Sequence, residues 1–230
     1  MDNILRLWLQ YSEDKLPLCN NIIIVGAGKF GKKALDKLSR KHPEATIAVI
    51  DSDGEKLDCL KASTNVRLVK KDGVDFLVEE VVSQDVWVIP AVPIHLTWEL
   101  LARYVALTPI SVPDSVKKKL PNAMDGTIGT CYTSYADFLC PDDCPEPPEK
   151  CTYTGKARPG ILYETIGNAI PTGWNGIIFR SYQLAPGVGG YPINHVVTAR
   201  EWLRKIGTGQ KIIVATACRC HGVITASLIS

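Results

Sequence analysis

The sequence contains no apolar run of the roughly 20 residues that a membrane-spanning helix requires. Charged residues interrupt positions 2–15, so the start of the chain also lacks the continuous apolar stretch of a secretory signal. We therefore expect a cytoplasmic protein that does not insert into membranes. The formal net charge is only +2 over 230 residues, which gives no sign of nucleic-acid binding. A hydrophobic fraction of 46% and this length are enough for a globular core without disulfides.

Residues 21–53 hold the one stretch whose spacing indicates a specific ligand. An apolar strand, 22–25, leads into Gly26, Gly28 and Gly31 in the pattern G-x-G-x-x-G, and a helix follows. This order of strand, glycines, helix, second strand and terminal acid is far rarer than the glycines alone. The first glycine permits a tight turn, the second lets the backbone approach a pyrophosphate, and the third lets the helix pack on the strand. Free N–H groups at the helix N-terminus would then bind the phosphates.

An acid stands at the end of the second predicted strand, twenty positions after the last glycine. Asp51 is placed to accept hydrogen bonds from both hydroxyls of the adenosine ribose. A carboxylate there disfavours a 2′-phosphate, and Ser52 rather than an Arg follows it. NAD is therefore favoured over NADP, although Lys56 is a nearby cation. The expected cofactor-binding residues are Gly26, Gly28, Lys29, Phe30, Gly31, Asp51, Ser52 and Pro90.

Strands and helices alternate through the first half of the chain. The predicted strands are 22–25, 46–51, 66–69 and 86–89, and the predicted helices are 29–41, 54–62, 76–82 and 95–104. Such alternation implies a parallel sheet with right-handed crossovers. The predicted fold class is therefore α/β, with a Rossmann-like doubly wound parallel sheet. Apolar residues at helical spacing also predict an amphipathic helix over residues 2–14, packed on the sheet or on a partner chain.

Residues 20–105 resemble the NAD(P)-binding Rossmann superfamily and are similar to the nucleotide-binding domains of potassium-transport regulators. The resemblance rests on the first strand, the glycine turn and the acid after the second strand, and it covers somewhat under half of the chain. It implies dinucleotide binding by the three glycines and Asp51. Those regulators commonly carry Gly-Asp after the third strand, whereas residues 70–73 here read K-K-D-G, so their ligand response does not follow. Residues 88–93, V-I-P-A-V-P, also resemble the fourth strand of several dehydrogenases, whose next loop passes under the nicotinamide ribose.

The character of the sequence changes after about residue 106. Prolines and glycines become frequent, helical periodicity fades, and six of the eight cysteines appear. We expect a dinucleotide-binding domain over residues 1–106 and an irregular cysteine-rich region over residues 107–230. Near the C-terminus, a helix at 197–206 is predicted to precede a buried strand at 211–217. That late strand is a candidate to rejoin the Rossmann sheet.

Three cysteines, Cys140, Cys144 and Cys151, lie in a proline-rich acidic segment with almost nothing apolar to bury. Disulfides are disfavoured in a reducing cytosol. A metal ion or an iron–sulfur cluster is the leading hypothesis, because thiolates bind soft or borderline ions. The spacing C-x3-C-x6-C matches neither a ferredoxin run nor a paired C-x2-C zinc ribbon, so iron–sulfur and zinc stay equally open. Free thiols and a redox disulfide are the alternatives.

A second group of candidate ligands follows the late strand. Cys218, Cys220 and His221 are expected just beyond its carboxyl end, the edge where open α/β sheets bind ligands. An ordinary buried strand end is an equal alternative. A thiolate nucleophile at Cys218 or Cys220, assisted by His221, is a third. Weaker polar candidates, each with an ordinary structural explanation, are His95, His195, Arg158 and Arg180.

Two functions fit these observations. The first is an NAD-linked oxidoreductase with a cysteine-ligated metal or iron–sulfur centre near the nicotinamide. The second is a non-catalytic NAD(H)-binding and redox-sensing regulatory protein, in which zinc has a structural role. The first lacks a recognisable acid and base in the sequence. The expected ligand is a small-molecule dinucleotide rather than nucleic acid, and a homodimer or a redox partner protein stays open.

Overall fold

The computed structural model describes residues 3–11, 16, 19–80 and 85–230. Its strands are β1 (Ile4–Arg6), β2 (Asn21–Val25), β3 (Thr46–Asp51), β4 (Val66–Lys70), β5 (Trp87–Pro90), β6 (Leu107–Pro109), β7 (Met124–Asp125), β8 (Thr130–Ser134), β9 (Asn175–Arg180), β10 (Tyr182–Ala185), β11 (Val188–Pro192), β12 (Lys211–Ala217) and β13 (His221–Ile229). Its helices are α1 (Lys29–Lys41), α2 (Gly54–Asp58), α3 (Gly73–Glu80), α4 (Leu96–Tyr104), α5 (Asp114–Lys117), α6 (Leu162–Ala169) and α7 (Asn194–Ile206).

The strands of the described ranges form two sheets. Sheet I has the order β10-β11-β5-β2-β3-β4, in which β2, β3, β4 and β5 run parallel. The hairpin of β10 and β11 adds to β5 in the antiparallel direction. Sheet II has the order β1-β9-β12-β13-β8-β7, and β6 also pairs with β13. The protein is therefore a mixed α/β fold, whose Rossmann-like part is extended by two strands from the second half of the chain.

The Rossmann-like unit confirms the alternation predicted from the sequence. α1 covers the predicted residues and packs its apolar face, Ala34, Leu35 and Leu38, against the sheet. α2 is shorter than predicted, because it ends at Asp58. α3 begins at Gly73, before the predicted start, and is described as far as Glu80, since residues 81–82 lie outside the described ranges. Among the described helices, none combines the length and the apolarity that crossing a bilayer requires.

The predicted N-terminal helix is wrong where the structure describes it. Ile4–Arg6 pair in parallel with Gly176–Ile178 at the edge of sheet II, and Leu7–Gln10 form a 3-10 helix with Leu7 fully buried. Strand pairing and the burial of Leu7 thus override a helical spacing that is only a local preference. Residues 2 and 12–14 of that prediction lie outside the described ranges.

The prediction of an irregular C-terminal region is also wrong, because most of sheet II comes from it. Residues 211–217 form the predicted strand, but β12 does not join the Rossmann sheet. It pairs with β9 on one side and with β13 on the other. β11 pairs with the free edge of β5 through Tyr191 and Pro192, so β12 cannot pair with β5 there. The division of the chain at residues 106 and 107 stays a prediction.

The two sheets meet through α4 and the loop before it. The ring nitrogens of His95 lie 2.8 Å and 3.1 Å from the hydroxyl oxygens of Thr225 and Thr216. The Trp98 indole donates to the Ser227 hydroxyl at 2.9 Å. Burial lowers the pKa of His95 to about 3, so the ring is neutral. These contacts join the start of α4, which follows β5 of sheet I, to β12 and β13 of sheet II.

Candidate functional site

The turn between β2 and α1 requires glycine at two positions. Gly26 has a φ of +106°, and a Cβ there would lie 2.5 Å from the carbonyl oxygen of Ala91. At Gly31, a Cβ would overlap the carbonyl oxygen of Gly26. These two glycines therefore serve the fold itself, since they let the helix pack closely on the strand and on the loop after β5.

Gly28 differs, because nothing inside the protein requires a glycine there. Its φ of −71° suits any residue, and a Cβ would meet no heavy atom within 4 Å. The four other glycines with open space around the Cβ position, Gly155, Gly173, Gly207 and Gly209, all have positive φ values. Gly28 precedes the first turn of α1, whose N–H groups have no acceptors within the helix. The space fits a phosphate that approaches the backbone.

The structure brings Asp51 to this turn. Its Oδ2 accepts a hydrogen bond from the Ala27 N–H at 2.7 Å, and its Oδ1 accepts one from the Asp53 N–H at 2.9 Å. Pro90 ends the adjacent strand, and the next N–H, that of Ala91, donates to the carbonyl of Val25 at 2.8 Å. The glycine turn, the acid and the loop after β5 thus form one surface at the carboxyl edge of sheet I. Ser52 is exposed beside them.

The other two predicted cofactor residues begin α1 and are exposed. Phe30 exposes 52% of its surface. The Lys29 ammonium lies 2.5 Å from a carboxylate oxygen of Asp142, and the Lys33 ammonium lies 3.3 Å from the same oxygen. These lysines hold the pKa of Asp142 below its usual value. Asp142 belongs to residues 140–151, the cysteine segment, which therefore contacts the first turns of the proposed dinucleotide helix.

A second contact fixes the cysteine segment to the hairpin of sheet I. The Cys144 carbonyl accepts hydrogen bonds from the Gly187 N–H at 2.9 Å and from the Gln183 amide at 2.7 Å. Gly187 has a φ of +71°, and a Cβ there would overlap the backbone of Asp142. Gly187, in the turn between β10 and β11, thus holds the cysteine segment against this hairpin.

Glu146 links the cysteine segment to residues 218–221, the C-x-C-H turn. Its carboxylate accepts a hydrogen bond from the Arg219 N–H. The Cys218 sulfur in turn accepts the N–H of His221 at 3.3 Å. Burial raises the pKa of Glu146 above its ordinary value. Burial, reinforced by this carboxylate, also raises the pKa of Cys218.

Arg158 makes the second link to the C-x-C-H turn. One guanidinium nitrogen donates to the Cys220 sulfur, and its Nε donates to the Pro147 carbonyl at 2.7 Å. Burial raises the pKa of Cys220 to about 11, although the nearby guanidinium opposes the shift. The remaining nitrogen, Nη2, is buried without a hydrogen-bond partner in the described part of the chain.

The two groups of cysteines that the sequence singled out lie close enough to influence one another's pKa. Cys140 interacts electrostatically with Cys144 and Cys151, and Cys220 interacts with Cys140 and Cys144. Burial raises the pKa of Cys140, whereas hydrogen bonds within the turn at residues 151–154 lower that of Cys151. Within the described ranges, no three His, Cys, Asp or Glu side chains are arranged to hold a metal ion. As positioned, these cysteines do not fit a metal centre.

Asp142 and Glu146 are the site residues that sequence reasoning missed. The acidic character of the segment C-P-D-D-C-P-E was visible, but its acids carried no assigned role. Glu146 is half-buried, has a φ of +49° and has a raised pKa, which mark it as an unusual carboxyl. The only sequence signal was their position between cysteines in a segment with no apolar core of its own.

His195 lies in the core rather than at the site. It is fully buried, its ring stacks on Tyr11 at 5.4 Å, and neither ring nitrogen has a hydrogen-bond partner among the described residues. Burial lowers its pKa to about 4, so the ring is neutral. His195 therefore belongs to the core beneath α7 and is not placed beside the cysteines.

Comparison with known proteins assigns both parts of the chain. Residues 22–87 match the family described as "TrkA-N domain", and residues 86–230 match the family AF_1314_C, described as "Uncharacterized protein, C-terminal domain". A relative from Archaeoglobus fulgidus, described as "Uncharacterized protein", is 30% identical over 219 residues, which cover 89% of this chain and 97% of the relative. No solved structure matches the chain significantly. The TrkA-N match makes residues 22–87 a Rossmann-type NAD(P)-binding domain, as the resemblance implied.

Proposed function

The chain belongs to the AF_1314_C family and carries a TrkA-N domain, and from this premise we propose that it is an NAD(H)-binding, redox-sensing regulatory protein. The observation that carries the proposal is the cysteine segment, which contacts the dinucleotide helix at one end and the C-x-C-H turn at the other. A change at the dinucleotide can thereby reach the thiols, and a change at the thiols can reach the dinucleotide. We place the protein in the cytoplasm, where free thiols persist.

The glycine turn supports dinucleotide binding in the following way. A pyrophosphate would lie over Gly28, where the N-terminus of α1 offers N–H groups and a favourable dipole. Asp51 would accept the ribose hydroxyls, because each of its oxygens holds one N–H bond and keeps a further acceptor site. The same carboxylate would repel a 2′-phosphate. NAD(H) is therefore the proposed ligand rather than NADP(H).

The path from dinucleotide to thiols is short. Asp142 contacts the lysines of α1, and Glu146 contacts the C-x-C-H turn. These two acids are four residues apart, and four residues span at most about 14 Å. Cys144 lies between them and is itself bound to the hairpin. A short segment held at three points transmits displacement better than a free loop would.

A sensor of this kind acts on another protein or on a second copy of itself. We therefore include a redox partner protein or a homodimer as its target. Dinucleotide binding alone would set the state of the cysteine segment, and the partner would respond to that state. Oxidation or reduction of a substrate forms no part of this first proposal.

An NAD-dependent oxidoreductase is the second candidate. It is favoured by the electrostatic influence of Cys140 and Cys144 on Cys220, which follows the carboxyl end of β12. Cys151, Cys218 and His221 would complete the ligand set for zinc or an iron–sulfur cluster. Because the described side chains are not arranged for a metal ion, this candidate requires the cysteine segment to rearrange when it binds one.

One set of measurements separates the two candidates. Protein purified without oxygen is titrated with NADH and NAD⁺ by calorimetry, its iron, sulfide and zinc are measured per chain, and NADH oxidation is followed with added electron acceptors. A sensor should bind NADH without sustained oxidation and contain no stoichiometric iron–sulfur cluster. Steady turnover with a bound centre would refute the sensor in favour of the oxidoreductase. Absence of dinucleotide binding would refute both.

A further inference from the structure

Two positive charges meet one negative charge at the start of α1. The ammonium groups of Lys29 and Lys33 lie 2.5 Å and 3.3 Å from the same oxygen of Asp142, and Lys33 also donates to the Asp142 carbonyl at 3.2 Å. The lysines stand one helical turn apart, so their side chains share a face of the helix. Together they form an anion-binding position that Asp142 fills.

This position adjoins the proposed pyrophosphate site. Lys29 directly follows Gly28, where the Cβ position is open. The first turn of α1 contains no acidic residue, and no side chain caps it. Asp142 thus supplies the negative charge that is favourable at a helix N-terminus, although it lies over a hundred residues further along the chain. A dinucleotide pyrophosphate would bring negative charge to the same place.

We propose that the Asp142 carboxylate and the dinucleotide pyrophosphate compete for Lys29 and Lys33, so that dinucleotide binding releases the cysteine segment from α1. The inference rests on the proposed function, because it requires a dinucleotide at the glycine turn. Exposed ion pairs are individually weak, and a pyrophosphate carries more negative charge than one carboxylate. The ligand can therefore displace Asp142 from the lysines.

Release at Asp142 leaves the other contacts of the segment in place. Cys144 remains bound through its carbonyl to Gly187 and Gln183, and Glu146 remains on the C-x-C-H turn. The freed part is the beginning of the segment, which carries Cys140. Cys140 and Cys144 are half-buried on either side of Asp142 in the sequence, so we expect movement of Asp142 to expose their thiols further, although the Cys144 carbonyl stays bound.

The test compares Asp142→Asn with Asp143→Asn in the full-length protein. Asp143 is the exposed neighbour, and the same change there removes the same charge without touching the lysine contacts. In calorimetry at low salt, Asp142→Asn should bind NADH about threefold more tightly than Asp143→Asn, as the strength of an exposed ion pair implies. The difference should shrink at high salt, where exposed charges are screened.

A second measurement uses the unaltered protein. Iodoacetamide labelling of Cys140 and Cys144, followed by mass spectrometry, should accelerate when NADH is added. Labelling of Cys59, an exposed thiol after α2, should keep its rate and serves as the internal reference.

The outcomes distinguish this inference from the function on which it rests. Equal NADH affinities for the two variants, or weaker binding by Asp142→Asn, would overturn the competition while leaving dinucleotide binding intact. Unchanged labelling of Cys140 and Cys144 under saturating NADH would overturn it as well. If neither variant nor the unaltered protein binds NADH, the proposed function itself fails.

Discussion

The substitution Gly28→Ala separates dinucleotide binding from folding. Alanine adds a single methyl group at a position where a Cβ meets no atom of the protein within 4 Å and where φ is −71°. The backbone therefore needs no adjustment. If a pyrophosphate approaches this turn, the methyl group occupies the space that the phosphate requires, and binding suffers while the fold does not.

The expected magnitudes follow from two opposing effects on stability and one effect on binding. Alanine is a poorer N-cap residue than glycine, which lowers the free energy of unfolding by about 1 kcal/mol. Alanine also restricts the unfolded chain, which raises the free energy of unfolding by up to about 1 kcal/mol. The free energy of unfolding should thus change by less than about 1 kcal/mol. Loss of one hydrogen bond from the backbone to a charged phosphate costs about 1.5–3 kcal/mol. NADH affinity should fall at least about tenfold.

Gly31→Ala is the matched control, because it makes the same chemical change one turn further along. Its Cβ would overlap the Gly26 carbonyl oxygen, so α1 would have to move away from β2. Overpacking of this kind should destabilise the protein by about 3 kcal/mol or more. Urea denaturation and NADH calorimetry on both variants decide the matter. Undiminished NADH binding by Gly28→Ala would refute a pyrophosphate at this turn.

Asp51→Ala should weaken NAD binding far more than NADP binding, because only the unphosphorylated ribose offers both hydroxyls to that carboxylate; equal losses in calorimetry would remove the ribose assignment. If the oxidoreductase candidate is correct, Cys144→Ser should lower the metal content per chain, and an unchanged content would exclude Cys144 as a ligand. Lowering the pH from 7 to 5 should cost about 2 kcal/mol for each of His95 and His195. In the unfolded chain both histidines become protonated near pH 6.5, whereas in the folded protein their pKa values are about 3 and about 4. Their contribution to the free energy of unfolding is therefore complete above pH 6.5 and declines below it. Urea denaturation of His195→Gln should show a shallower decline, and an identical pH profile would contradict this account.

The Rossmann-like part was predictable because its signals are local. The apolar residues of α1 repeat at helical spacing, and the glycines stand between that helix and a buried strand, so the helix boundaries follow from the sequence. The juxtaposition of Asp51 with the glycine turn follows equally, since parallel neighbouring strands bring their carboxyl ends to one edge. The sequence did not reveal that a Cβ would clash with the protein at Gly26 and Gly31 but not at Gly28.

Sheet membership was not predictable, because it depends on partners distant in sequence. β1 lies in a stretch with helical spacing, yet it pairs with residues 176–178. β12 pairs with β9 and β13, whereas the hairpin of β10 and β11 pairs with β5 at the edge of sheet I. Periodicity reports which face of a strand is buried but does not name the adjacent strand. The roles of Asp142 and Glu146 were hidden for the same reason, since each contacts residues more than 70 positions away.

The exchange of strands between the two halves explains why the thiols and the dinucleotide turn are close. Because β11 pairs with β5, the hairpin loop at Gly187 lies on the sheet that holds the glycine turn, and it binds Cys144 there. Glu146, two residues further on, is tied to the turn that follows β12 of sheet II. The cysteine segment thus crosses the junction of the sheets. A ligand that displaces Asp142 from α1 acts at one end of this crossing, so its effect should appear first at Cys140 and Cys144 and only then at Cys220.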